Sequence, residues 1–209
     1  TGDTNVAIGY AALVTEDTAA RATAIGYRAL YTQNAGDVSA GNTAVGYDAG
    51  YAITTGVENT LIGYAAGDAL TNADYNVAVG RWALSADTLG STSTAIGYRA
   101  LQTQNFTTAT DAYNTAVGYA AGAAVTTGEQ NTLIGAQSGD ALTTGNSNVA
   151  VGYNSLGNDQ LGDNAVAIGH EALSTQRFTT TTDNYNVAVG FRAGYVVSTG
   201  TANVLIGGL

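Results

Sequence analysis

The chain of 209 residues contains no proline, cysteine or methionine, and only one histidine and one tryptophan. Without proline, no position interrupts a hydrogen-bonded ladder for want of an N–H. Without cysteine there is neither a disulfide framework nor a thiolate metal site, and the redox compartment stays open. Sixteen acids face six cations, all arginine (Arg21, Arg28, Arg81, Arg99, Arg177 and Arg192), for a net charge of −10. The cations are scattered and form no basic stripe, so nucleic acid is not an expected partner. No stretch approaches the ~20 apolar residues of a membrane helix, so no membrane insertion is expected of this segment.

What is present is one phrase written repeatedly. Asn42-Thr43-Ala44-Val45-Gly46-Tyr47 has 12 relatives, itself included, marked by Gly9, Gly26, Gly46, Gly63, Gly80, Gly97, Gly118, Gly135, Gly152, Gly169, Gly190 and Gly207. Before each glycine stands Val or Ile, and before that Ala or Leu. The spacings are 17, 20, 17, 17, 17, 21, 17, 17, 17, 21 and 17 residues, and Gly46, Gly118 and Gly190 lie 72 apart. Leu61, Leu133 and Leu205 keep the same long period. A fixed period of this kind is the mark of a repeat architecture. Residues 1–209 therefore form a single array of four-unit super-repeats of about 72 residues, expected to be a fragment of a longer fibre.

Each unit reads as Asn-(Thr/Val)-Ala-(Val/Ile), then a glycine permitting a turn or a close backbone approach. A second short strand such as Tyr98-Arg99-Ala100-Leu101 follows, and turn chemistry such as Thr54-Thr55-Gly56 closes the unit. A helix over the Tyr-Arg-Ala-Leu segment fails, because four residues cannot offset helix nucleation. The expected fold is all-β: a parallel β-solenoid of about 12 coils of 17–21 residues, with successive coils ~4.8 Å apart.

Alternation along the first strand puts Thr43 and Val45 on one side and Ala44 on the other. Both sides are apolar, so the strand is expected to be buried on both. One side fills the coil; the other needs a neighbour, and small residues imply a close one. The second position after the glycine (Ala11, Arg28, Asp48, Trp82, Arg99, Glu171, Arg192) tolerates every character and reads as a solvent face. The expected partner is the same chain, in a closed symmetric assembly.

The units Asn5-Val-Ala-Ile-Gly, Asn76-Val-Ala-Val-Gly and Ala165-Val-Ala-Ile-Gly resemble the head repeats of trimeric autotransporter adhesins (YadA-like heads). The longer form, Asn114-Thr-Ala-Val-Gly-Tyr-Ala-Ala-Gly followed by Thr126-Thr-Gly, resembles repeats of phage and algal-virus tail fibres. The resemblance covers essentially the whole chain. It implies a left-handed β-roll that forms a homotrimer, on an extracellular fibre at a virion or bacterial cell surface, binding a host surface glycan or protein. The units here are longer than the usual adhesin-head unit, and no membrane anchor or chaperone domain lies in this segment.

No catalytic, cofactor or metal site is expected. His170 stands alone in a column of tyrosines, and Asp68 and Asp140 are four coils apart, roughly 19 Å, too far for a glycosidase pair. The insertions are the candidate receptor contacts, since long loops of a solenoid gather on one side and often bind. They are 103–113, with Phe106 and Tyr113, and 175–185, with Arg177, Phe178 and Tyr185; a shorter version spans 32–41. An aromatic, a threonine run, an acid and a tyrosine suit glycan contact. Against this, Phe106 and Phe178 can tuck back as loop anchors or cover the trimer seam, since buried aromatics are common in ordered loops. The tyrosine column (Tyr10, Tyr27, Tyr47, Tyr64, Tyr98, Tyr119, Tyr153, then Phe191) reads as a stacked ladder or as a polymer track. The Asn column reads as a turn residue stacking amide on amide. The Thr column (Thr23, Thr43, Thr60, Thr94, Thr115, Thr132), broken by Val77 and Val149, raises ice binding as a further alternative. A pure spacer segment is the other.

Overall fold

The computed structural model describes residues 4–16, 18, 20–36 and 39–208. Among them there is no helix, and the chain is a parallel β-solenoid of about twelve turns. Twelve three-residue strands, from Val6–Ile8 to Val204–Ile206, form one parallel sheet in chain order. Register is copy upon copy: Thr43 pairs with Thr60, Ala44 with Leu61, Val45 with Ile62. The strands stop at three residues because the glycine that follows adopts φ between 129° and 145°, a region open essentially to glycine alone. At Gly63 a Cβ would also lie 2.6 Å from the carbonyl oxygen of Gly80 in the next coil. The close backbone approach expected at this glycine is therefore real, and it repeats down the column.

The expected second strand is not a strand. Tyr98-Arg99-Ala100-Leu101 and its relatives are turns, with positive φ at the second and fourth residues, as at Arg28 (51°) and Leu30 (49°), or Arg99 (59°) and Leu101 (48°). Such angles cost a non-glycine residue about 1–2 kcal/mol each. They persist because alternating handedness aims successive amides at opposite neighbours. The Arg28 N–H donates to the Tyr10 oxygen in the preceding coil (2.9 Å), and the Leu30 N–H to the Ala49 oxygen in the following one (3.0 Å). The ladder continues through the turn without extended backbone.

The two sides of the first strand are also the reverse of the expected assignment. The central residue, Ala24, Ala44, Ala78, Ala95, Ala116 or Ala150, is fully buried inside the coil, while the Thr/Val and Val/Ile positions face outward. The interior is narrow and filled mainly by Ala and Leu. Its volume is conserved by exchange between positions. Where the strand centre is Ala, the fourth residue after the glycine is Leu in most coils, as for Ala24 with Leu30 or Ala95 with Leu101. At Leu61 the turn positions on either side are Gly50 and Gly67, where a Cβ would lie 2.7 Å from the leucine's two methyls. Leu133 sits likewise between Gly122 and Gly139. The 72-residue period of the leucines is thus a packing period.

Candidate functional site

The outer surface of the twelve-stranded sheet is a stripe of Thr or Val beside Val or Ile. Ile62, Ile96, Ile134 and Ile168 are 38–39% exposed, and with neighbouring valines they leave an apolar band along the rod. Beside it runs the tyrosine column. Tyr10, Tyr27, Tyr47 and Tyr64 stack with centroids 4.9–5.4 Å apart and ring planes within 12° of parallel. Arg81 interrupts the column, and Trp82 from the adjacent position fills the gap, edge-on to Tyr64 at 6.3 Å and tilted against Tyr98 at 5.8 Å. His170 is a rung between Tyr153 (5.1 Å) and Phe191 (5.3 Å). Where rings are neighbours they spend their faces on one another, as a stabilising ladder does.

The long loops are held by a buried polar network that inspection of the loops alone does not reveal. Phe106 and Phe178 are only 5% and 6% exposed. They therefore do not stand on the loop surface as receptor contacts; they are anchors, and the reason lies one coil back. Asp87, fully buried, accepts from the Gly90 N–H (3.0 Å), the Phe106 N–H (3.0 Å) and Gln104 Nε2 (2.6 Å). Asp159 repeats the arrangement with Gly162, Phe178 and Gln176 at 3.3, 2.9 and 2.6 Å. Two-residue parallel pairings, Gly90–Ser91 with Thr110–Asp111 and Gly162–Asp163 with Thr182–Asp183, then lay each loop on the preceding coil. In the short loop, Gln33 Nε2 donates to Glu16 (2.9 Å); residues 37 and 38 of that loop lie outside the described set.

The signal for this network was present in the spacing. Seven residues after the marker glycine stand Glu16, Gln33, Asp87, Gln104, Asp159 and Gln176 where the fourth residue is Leu, and Ile53, Leu70, Val125, Leu142 and Val197 where it is Gly. Counting from the glycine separates two coil types that counting from the asparagine blurs. The network runs on into the asparagine column: Gln104 Oε1 accepts from Asn114 Nδ2 (2.9 Å), and Asn114 Oδ1 accepts from the Asn131 N–H (2.9 Å). Asn131 and Asn148 continue it, each side-chain amide also donating to a glycine carbonyl in the following coil, three residues before that coil's copy of the asparagine position. The asparagines do bridge coil to coil, as expected, but they are buried, and Asn114 also reaches Gln104 within its own coil.

Of the candidate contacts, Tyr113 (57%) and Tyr185 (58%) are exposed, as is Arg177, beside exposed Thr107, Thr108, Thr180 and Thr181. Tyr113 and Tyr185 precede the strand asparagines with φ of 52° and 50°. They stand four coils apart, roughly 19 Å, so each loop is its own surface. The sheet-side charges are paired across coils: Arg28 grips Asp48 through Nε (2.9 Å) and Nη2 (2.6 Å), and two super-repeats later the order inverts, with Arg192 on Glu171 at 2.5 Å. Among the described residues no group of three His, Cys, Asp or Glu could hold a metal ion.

One carboxyl is poorly housed. Asp68 has a buried oxygen with no hydrogen-bond partner, and burial, with the negative charge of Asp48 adding, pushes its pKa up to about 6. Burial raises Asp140, its copy, as well. A raised carboxyl binds its proton more tightly folded than unfolded, so stability falls as pH rises from about 4 towards 6. We expect Asp68→Asn to raise stability at pH 7 by about 1 kcal/mol, reduced from the full shift by the group's partial exposure. At pH 4 it should change little. Melting temperatures of both proteins at the two pH values test this; an equal effect at both would remove ionisation as the cause.

Comparison of the chain with family models, curated proteins and solved structures finds no match.

Proposed function

We propose that this chain is a non-enzymatic segment of a trimeric surface fibre, a phage tail fibre or adhesin head in kind, built as a left-handed β-roll. It presents its long loops to a receptor, glycan or protein, on a host surface. The observation that carries the reading is the uncovered outer strand face. Val and Ile recur there in every coil, making a continuous apolar band of a kind that monomeric proteins rarely expose. Three copies related by an axis along the rod cover that band with itself. Light scattering on a size-exclusion column is expected to give a mass near three times the 21.0 kDa chain. A monomer would remove the assembly and with it the fibre.

The loops then separate a receptor-binding fibre from a spacer. The variant to use is Tyr113→Ala/Tyr185→Ala, since the phenylalanines are interior. A glycan or cell-surface array that binds the parent and not the variant supports recognition; an array silent for both supports the spacer. One feature favours a second reading. Thr23, Thr43 and Thr60 lie in register on the same outward face, and flat threonine arrays order water. A monomer that shows thermal hysteresis would be an ice-binding solenoid instead.

A further inference from the structure

The aromatic ladder has one rung missing and left open. Tyr119 and Tyr153 occupy equivalent positions two coils apart, about 10 Å by the coil spacing, and between them stands Ala136. Elsewhere that interval holds a ring, as Tyr27 sits between Tyr10 and Tyr47 at 5.4 and 4.9 Å. The other ringless rung with a ring on either side, at Arg81, is closed by Trp82. At Ala136 the residue in the tryptophan's position is Gln137, which has no ring. One flanking ring registers the vacancy: Tyr119 is 55% exposed, against 43% for Tyr47, which is stacked on both sides, while Tyr153 stands at 47%.

We propose that this slot is a binding site for a single neutral hexopyranose ring, separate from the long loops. The slot has the span of one six-membered ring between two aromatic faces, within the 4.5–7 Å centroid range at which ring faces attract. The C–H faces of a pyranose offer the apolar surface such walls take. The backbone ladder holds the rim in place: the Gln137 N–H donates to the Tyr119 oxygen (2.8 Å) and the Asn154 N–H to the Ala136 oxygen (3.0 Å). The Gln137 side chain is an amide, able to donate to and accept from sugar hydroxyls, while Asn154 Oδ1 lies against Gly157 of its own turn. An uncharged amide rim matches a neutral sugar better than a uronic acid or an amine. The slot is made by one chain, so it stands independently of the trimer.

The test is an NMR titration of tyrosine-labelled protein in its native assembly with methyl glucoside, methyl galactoside and methyl mannoside, and separately with N-acetyltyrosinamide. We expect at least one glycoside to shift the Tyr119 and Tyr153 ring signals while Tyr47 stays still. Ala136→Tyr, which restores the rung, should abolish the shift and raise the melting temperature. Silence with all three glycosides overturns the site, as does a shift that survives in Ala136→Tyr. A response to N-acetyltyrosinamide alone also overturns it, and would assign the slot to an aromatic side chain of a protein partner. The mass measurement is unaffected by these outcomes, so failure here and failure of the fibre reading are distinguishable.

Discussion

Gly63→Ala is expected to cost about 4 kcal/mol or more and to leave the rod without a cooperative transition. Two costs add. Alanine at φ 135° is held in a region essentially closed to it, at about 1–3 kcal/mol. Its Cβ would also lie 2.6 Å from the Gly80 oxygen and 2.7 Å from the Gly80 carbon. Both are backbone atoms of the neighbouring ladder, so the two coils must part. In a solenoid each repeat contacts only its neighbours, and a parted step separates the rod into two pieces. Gly36→Ala is the control: φ there is 68° and nothing lies within 4 Å of the added methyl, so about 1–2 kcal/mol of backbone cost is all that applies. Chemical denaturation followed by circular dichroism compares the two. Losses equal within 1 kcal/mol would mean the coil-to-coil approach is not what requires glycine.

Asp87→Ala comes second, at about 3–5 kcal/mol. The carboxylate is fully buried and receives three donors, and its removal strands the Gly90 N–H, the Phe106 N–H and one of the two Gln104 Nε2 hydrogens, the amide keeping its bond to Ser93 Oγ. A buried donor left without a partner costs about 1–3 kcal/mol. Asp87→Asn keeps one acceptor but turns an NH2 group toward a donor, and should fall between parent and alanine. The damage has a place as well as a size. With Asp87 gone, Phe106 loses the bond that seats it, and residues 106–113 should become the first site of limited proteolysis. Residues 178–185, tied to the intact Asp159, should stay protected, so the molecule carries its own control. Cleavage of both loops at equal rates would show that the acid does not anchor its loop.

The coil count, the in-register stacking and the 72-residue order were legible from residues alone. A glycine demanded by a backbone approach must recur once per coil, so its period is the coil period. Nearly every feature that depends on a sum across the coil was not. Alternation divides Ala44 from Thr43 and Val45 but does not say which side is concave. That is decided by Leu30, Ile53 and their relatives, which reach the interior from elsewhere and leave room only for a small strand centre. The Tyr-Arg-Ala-Leu turn escaped because nothing in the intrinsic preference of Arg28 or Leu30 favours positive φ; the neighbouring coils impose it. The residues alone leave Phe106 open between surface contact and loop anchor, because its partner, Asp87, lies 19 residues away and in another coil. One period determined the stacking of this chain. The inside was decided by volumes and hydrogen bonds that only the closed coil brings together.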